Sequence, residues 1–167
     1  MKAGPIVDNL TIGLFGTCGA STWRNSFIEA FKSRGIRYFN PLVEDWSPSC
    51  AVKEAWHLAN DRIIAFPVTD ETYGFGSLAE SGFSLYQAIS KAEQTFVLTY
   101  VAPDVCAELK AGNPSMAKES YKARTLALAH LNQIRHPNIF QVQSLDEMLT
   151  KSIALYKIAQ DLQALRA

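Results

Sequence analysis

Short apolar bursts alternate with stretches of helical periodicity along nearly the whole chain. This alternation limits the folds open to it more than any other feature. Residues 11–15 (TIGLF) read as a buried strand and lead into the loop GTCGAST. Residues 23–34 place Phe27, Ile28, Ala30 and Phe31 at helical spacing, and Gly35 stops that helix. A second short strand covers 36–39 and is closed by Asn40 and Pro41, followed by a helix over 51–60. Residues 62–68 (RIIAFPV) form a third strand, with Pro67 near its end, where a strand tolerates it. A third helix is expected over 77–92 and a fourth strand over 95–101 (TFVLTYV). Pro103, Gly112 and Pro114 suggest a surface excursion over 102–120, before a helix over 121–134. A fifth strand over 138–142 (NIFQV) and a long last helix from Ser144 to about Arg166 complete the chain.

Strands that alternate with helices imply right-handed crossovers. The expected fold is therefore α/β, a five-stranded parallel sheet with helices on both faces. Near-continuous apolar strands such as RIIAF fit burial on both sides. A chain of 167 residues is expected to form one domain, 1–167, without repeat or linker. Sixteen basic residues balance sixteen acidic ones, so no overall field favours nucleic acid or a membrane surface as partner. Three widely separated cysteines argue against a disulfide framework. The first residues lack the apolar core of a signal peptide, and no apolar run approaches about 18 residues. A cytoplasmic protein is the expectation. No cofactor is implied.

In open parallel sheets, ligands bind outside the carboxyl ends of the strands. The loops there are GTCGASTWR, NPLVEDW and TDETYGFGS, which are rich in glycine, hydroxyls, carboxylates and tryptophan. In the first, Gly16 and Gly19 permit tight turns, while Thr17, Ser21 and Thr22 could ring an anion at the following helix. Arg24 in that helix's first turn opposes the helix dipole, a penalty that an anionic ligand would offset. The structural alternative is a plain strand–helix turn, with Ser21 or Thr22 as cap and Arg24 in water. The spacing Cys18-x5-Arg24 also resembles the low-molecular-weight cysteine phosphatases, which implies a Cys18 thiolate nucleophile and an oxygen-binding Arg24. Asn25 stands where those enzymes carry Ser or Thr, and the chain has no Asp-Pro.

Ser77-Leu78-Ala79-Glu80 fits a capping box, which would put Glu80 in the first turn of the third helix. The same pattern begins at Ser26, Ser90 and Ser144, so by itself it signals no chemistry. Position after the third strand gives Glu80 a second reading. An ionised carboxylate held there suits attack on an electropositive carbon. A second carboxyl would have to protonate the leaving group, and Asp45, Glu54, Asp70 and Glu71 are available.

Three segments together, LFGTCGASTWRNSF, YFNPLVEDWSPSC and IIAFPVTDETYGFGSLAE, resemble the nucleoside 2-deoxyribosyltransferase-like family, which includes 2′-deoxynucleoside 5′-phosphate N-hydrolases. The resemblance spans about residues 11–101 and implies a flavodoxin-like sandwich. It places Glu80 on the family's nucleophile, which attacks the anomeric carbon of a (deoxy)ribosyl group. Glu54 falls near an acidic residue that contacts base or sugar. Gly16, Thr17, Gly19, Ser21 and Arg24 fall in the loop that holds the 5′ end or phosphate. Asn40, Gly76 and Ser77 would line the same substrate site, and Asp45 and Trp46 would supply a polar contact and a stacking face. Gly13 and Leu14 replace the family's strand-one tyrosine, and Gly74 replaces an aspartate six residues before the nucleophile.

The implied function is cleavage or transfer of the N-glycosidic bond of a nucleoside or nucleoside 5′-monophosphate. The alternatives are a non-catalytic nucleotide or nucleotide-sugar sensing module and the Cys18 phosphatase. Family members typically self-associate, so a homodimer or higher homo-oligomer is expected. Glu54 and His57 mimic half of a di-iron pair, but the second half is missing and no zinc spacing occurs, so no metal is expected. Asp61 reads as structural. The last helix carries Leu145, Met148, Leu149, Ile153, Tyr156, Ile158, Leu162 and Leu165 on one broad apolar face, read mainly as core.

Overall fold

The computed structural model describes residues 10–45, 47–90 and 95–165. Five strands form one parallel sheet: β1 (Ile12–Leu14), β2 (Tyr38–Phe39), β3 (Ile63–Val68), β4 (Phe96–Val101) and β5 (Ile139–Gln141). Their spatial order is β2-β1-β3-β4-β5. The register pairs Ile12 with Tyr38 on one side and Ile63 on the other, Ile63 with Phe96, and Val97 with Ile139. This is the flavodoxin-like, doubly wound arrangement, whose switch point lies between β1 and β3. All six residues of β3 are buried, as expected for a central strand with a helix layer on each side.

The helices are α1 (Arg24–Lys32), α2 (Pro48–Asn60), α3 (Phe75–Ser90), α4 (Ala107–Gly112), α5 (Pro114–Leu131) and α6 (Leu145–Ala164). One face of the sheet packs Ile12, Leu14, Ile63, Ala65 and Leu98 against Phe27 and Phe31 of α1 and Met148 and Tyr156 of α6. The other packs Ile64, Phe66, Val68 and Val97 against Leu85 and Ala88 of α3 and Leu131 of α5, with Leu58 of α2 at its edge. Trp23, Phe27 and Phe31 meet edge to face in succession, with centroids 5.1 and 6.0 Å apart, which fixes α1 on the sheet.

Several boundaries differ from the sequence reading, each for a local reason. The expected excursion over 102–120 holds α4 and the first turns of α5. Asn113 caps α5 by accepting from the Met116 N–H at 3.1 Å, and Pro114 sits at the first helical position, where its missing N–H does no harm. Pro48 likewise starts α2 three positions before the expected residue 51. Ser77 is not a cap. Helix α3 begins at Phe75, its first bond runs from the Leu78 N–H to the Gly74 carbonyl at 2.8 Å, and Glu80 lies in the second turn. Gly74, at φ +73°, supplies the left-handed backbone that makes the turn there. Ser144, in contrast, does cap: its hydroxyl accepts from the Glu147 N–H at 3.1 Å. On α6, Met148 and Tyr156 are buried as expected, whereas Ile158, Leu162 and Leu165 are exposed. The expected ends at Ala92 and Arg166 lie outside the described residues.

Candidate active site

The loop after β1 is sewn into the end of β3. Thr17 donates its N–H to the Pro67 carbonyl at 2.9 Å, and its hydroxyl accepts from the Thr69 N–H at 2.8 Å. Gly16, at φ +88°, lets the backbone pass so close to Pro67 that a Cβ would collide with the proline carbonyl. Arg24 turns inward rather than into water and is 2% exposed. Its Nε donates to the Leu14 carbonyl at 3.0 Å and Nη1 to the Thr17 carbonyl at 2.5 Å. Its Nη2 reaches the Gly16 carbonyl at 3.5 Å and the Cys18 Sγ at 3.4 Å. Burial lowers the Arg24 pKa, with its contact to Cys18 and the nearby carboxylates of Glu54 and Glu71 opposing. Arg24 thus staples the loop from beneath. The thiol and guanidinium of the C-x5-R spacing do touch, but all three nitrogens are engaged within the loop.

Ser21 and Thr22 hold an anion, and it belongs to the protein. Glu71, in the loop after β3, accepts from the Ser21 hydroxyl at 2.7 Å, the Thr22 N–H at 2.8 Å, the Thr22 hydroxyl at 3.0 Å and the Thr69 hydroxyl at 2.9 Å. Desolvation pushes its carboxyl up, but these four hydrogen bonds together outweigh it and hold the pKa below the ordinary glutamate value. Of the expected cradle, Gly16, Thr17, Ser21 and Arg24 therefore serve the protein's own frame. Gly19, at φ +73°, stays exposed with open space around it.

Two further carboxylates stand on neighbouring helices, near enough for the charge of Glu54 to act on Glu80. Glu54, half-buried, comes from the middle of α2, and Glu80, exposed, from the second turn of α3. Partial desolvation raises the pKa of Glu80 first, and the charge of Glu54 raises it further. Glu54 is likewise raised by burial, while Arg24 pulls it down. The helices therefore bring together the two sequence-expected catalytic residues, each close enough to a charged neighbour to feel it. One carboxylate next to another that resists ionisation is the arrangement in which one group can attack while the other carries a proton.

The remaining expected site residues surround this pair less closely. Asn40 makes a turn, its Oδ1 accepting from the Leu42 N–H at 3.1 Å. Asp45 is exposed on the same loop, and Trp46 lies outside the described residues. Gly76 and Ser77 occupy the first turn of α3. His57 pairs not with Glu54 but with Asp61, Nδ1 to Oδ1 at 2.9 Å, and stacks on Phe39 with centroids 3.6 Å apart. Asp61 is fully buried at the start of β3, and burial raises its pKa to about 6 against the opposing pull of His57. Among the described residues, no group of three or more His, Cys, Asp or Glu could hold a metal ion. No described helix is long and apolar enough to cross a membrane.

Sequence reasoning missed Arg124. From α5 it enters the loop after β3, where it is fully buried and donates to the carbonyls of Val68, Ala102, Thr69 and Thr72 at 3.2, 2.9, 2.9 and 2.8 Å. Its Nε donates to the Ser120 hydroxyl at 3.0 Å. Gly74 is glycine for this reason as well: a Cβ would stand 2.8 Å from Val68 Cγ1 and 2.9 Å from Arg124 Nη2. At Gly13 a Cβ would run into the Phe15 ring and come within 2.9 Å of Asp61 Oδ2. Packing thus accounts for glycine at both positions. The chain matches no protein-family model, and no curated protein is significantly similar to it.

Proposed function

We propose that the protein cleaves or transfers the N-glycosidic bond of a nucleoside, with Glu80 as nucleophile and Glu54 as proton carrier. The observation that supports this most is the nearness of these carboxylates on α2 and α3, where burial and then the charge of Glu54 raise the pKa of Glu80. A Glu80 carboxylate oxygen bonds to the anomeric carbon as the carbon–nitrogen bond breaks, and that electron pair leaves with the base. Glu54, protonated more readily than an ordinary glutamate, gives its proton to the departing base. Water or a second base, deprotonated by Glu54, then displaces Glu80 from the sugar.

An unphosphorylated substrate fits best. Glu71 already occupies the hydroxyls and amide of the first loop, and an open cavity of about 480 Å³ beside it is lined by three carboxylates, Asp70, Glu71 and Asp146, together with Tyr100 and Ser144. A 5′-phosphate brought there would meet three carboxylates and no basic side chain. The self-satisfied state of Thr17, Ser21 and Arg24 also favours a second reading, a sugar- or nucleoside-binding module without turnover.

One panel of deoxynucleosides, ribonucleosides and their 5′-monophosphates decides between them, with released base followed by chromatography. Base release from unphosphorylated nucleosides that disappears in Glu80→Ala is expected. Base release that survives Glu80→Ala overturns the reading, and saturable binding without release supports the second.

A further inference from the structure

Three buried hydroxyls at the carboxyl edge of the sheet are spent on the chain itself. Thr17 hydrogen-bonds the end of β3, Thr69 holds Glu71, and Ser120 donates to the Tyr73 carbonyl at 2.7 Å. Thr99 on β4 is different. It is 3% exposed, and its Oγ1 has no hydrogen-bond partner among the described residues. A buried hydroxyl left unpaired costs free energy that a valine in the same place would not. Its side chain faces α5, because Val97 and Val101, two residues to either side, pack with Leu128 and Leu131 on that face. The β4–β5 register sets Gln141 directly beside it. Thr99 lines a cavity of about 410 Å³ at the ends of β4 and β5 under the last turn of α5, a volume within the roughly 300–1,000 Å³ of small-molecule sites. The walls divide by chemistry. Val101, Leu128, Leu131 and Val142 are apolar, whereas Asn132, Gln141 and Gln143 each carry a side-chain amide. Gln141 donates an N–H to the Leu131 carbonyl, which pins the last turn of α5 to β5. The side-chain amides of Asn132 and Gln143 have no partner among the described residues. Among those residues no Asp, Glu, Lys, Arg or His lines the cavity, and Arg135 is turned to the carbonyls of Asn132 and Ile134.

We propose that this cavity binds an uncharged small molecule with an apolar ring and one amide group, either an exocyclic carboxamide or an amide within the ring. A side-chain amide offers a donor and an acceptor side by side, so it pairs best with a ligand edge that offers the same. A carboxylate or phosphate would enter between apolar walls with no cation to meet it. A sugar would leave several hydroxyls unpaired against those walls. A ring amide or carboxamide instead rests its body on Leu128, Leu131 and Val142 and turns its polar edge to Asn132, Gln141 and Gln143, with Thr99 completing the set. The site is distinct from the Glu54–Glu80 pair, because no residue of α2 or α3 lines it. It rests on none of the glycosidic chemistry.

The test is isothermal titration of the full chain with benzamide, nicotinamide and uracil, and with benzoate and glucose beside them. The first two carry an exocyclic amide and uracil a ring amide, so the three separate these sources. At least one of the three is expected to saturate the protein with a dissociation constant below about 1 mM, with benzoate at least about tenfold weaker than the best amide. Asn132→Leu and Thr99→Val are expected to weaken that binding about tenfold each, the loss of one hydrogen bond. Without ligand, Thr99→Val should melt no lower than the wild type, because its hydroxyl has no partner to lose. Weakened binding in this variant then reports the site and not a damaged fold. No saturable binding of any of the three amides overturns the proposal. So does benzoate or glucose binding as tightly as the amides. So does amide binding that survives Asn132→Leu and Thr99→Val but disappears in Glu80→Ala, which puts the ligand at the carboxylate pair. Amide binding by a protein that releases no base refutes the glycosidic reading and leaves this site standing.

Discussion

Glu71 and Ser21, fifty residues apart in sequence, are joined by a 2.7 Å hydrogen bond that ties the loop after β1 to the loop after β3. The carboxylate stands where an outside anion would otherwise sit, and it collects three further donors there. Each such bond adds about 0.5–1.5 kcal/mol net, so Glu71→Ala is expected to cost about 1–3 kcal/mol in urea denaturation. The folded pKa is depressed, so this stability is present above the unfolded glutamate value and is lost as pH falls through the folded one. Thermal melts should show the wild type losing its advantage over Glu71→Gln as pH drops below about 4.3. A constant difference from pH 3 to 7 would refute this role.

The alternation of apolar bursts and helices foretold the parallel sheet because the central strands are buried on both sides and therefore apolar throughout, as in IIAFPV of β3. It failed where polar chemistry decides a boundary. Asn113 and Pro114 looked like loop residues because the same two types also make caps and first turns. At the site, Glu54 and Glu80 were legible as carboxylates at the right edge. The self-made occupant of the first loop was not, since nothing local tells a carboxylate that binds its own chain from one that awaits a ligand. Arg124 left no trace at all: an arginine in mid-helix ordinarily lies in water, and only the carbonyls converging from β3, β4 and their loops give it a buried role.

Arg124 should dominate stability. Its removal takes a donor from the carbonyls of Thr69, Thr72 and Ala102, whereas the Val68 carbonyl keeps the Ala102 N–H and the Ser120 hydroxyl still donates to the Tyr73 carbonyl. Arg124→Met is expected to lose about 3–5 kcal/mol, and Arg124→Lys much of that, because one ammonium cannot reproduce the planar fork. Urea denaturation checks both. A loss under about 1 kcal/mol for either would show that these carbonyls find other partners.

The buried Asp61 gives the opposite pH dependence to Glu71. Its folded pKa, raised to about 6 from 3.8, makes the protonated form the one folding prefers. Stability from this group is full below the unfolded value and is lost as pH rises through the folded one. Asp61→Asn should therefore flatten the decline between about pH 4 and 6. His57→Ala removes the contact that lowers this pKa, so it should carry the decline to higher pH. Melting temperatures across pH 4 to 8 measure both effects.

Glu54 and Glu80 give the sharpest test, because chemistry and stability move in opposite directions. Nucleophilic attack needs Glu80 ionised, so base release should rise with pH along a limb displaced above the ordinary glutamate value of about 4.3. It should fall again as Glu54 loses the proton it gives the base, and both limbs belong to the pair. Glu54→Gln removes the like charge, so the acidic limb should move down while the rate drops about 10²–10⁴-fold with the loss of the proton donor. Both folded pKa values are raised, so each carboxylate loses its contribution to stability as pH rises through them. Glu54→Gln and Glu80→Gln should therefore melt no lower than the wild type at pH 7, even as base release fails. A paired loss of activity and melting temperature would mark these residues as structural, and an unmoved acidic limb in Glu54→Gln would show that the two carboxylates act independently.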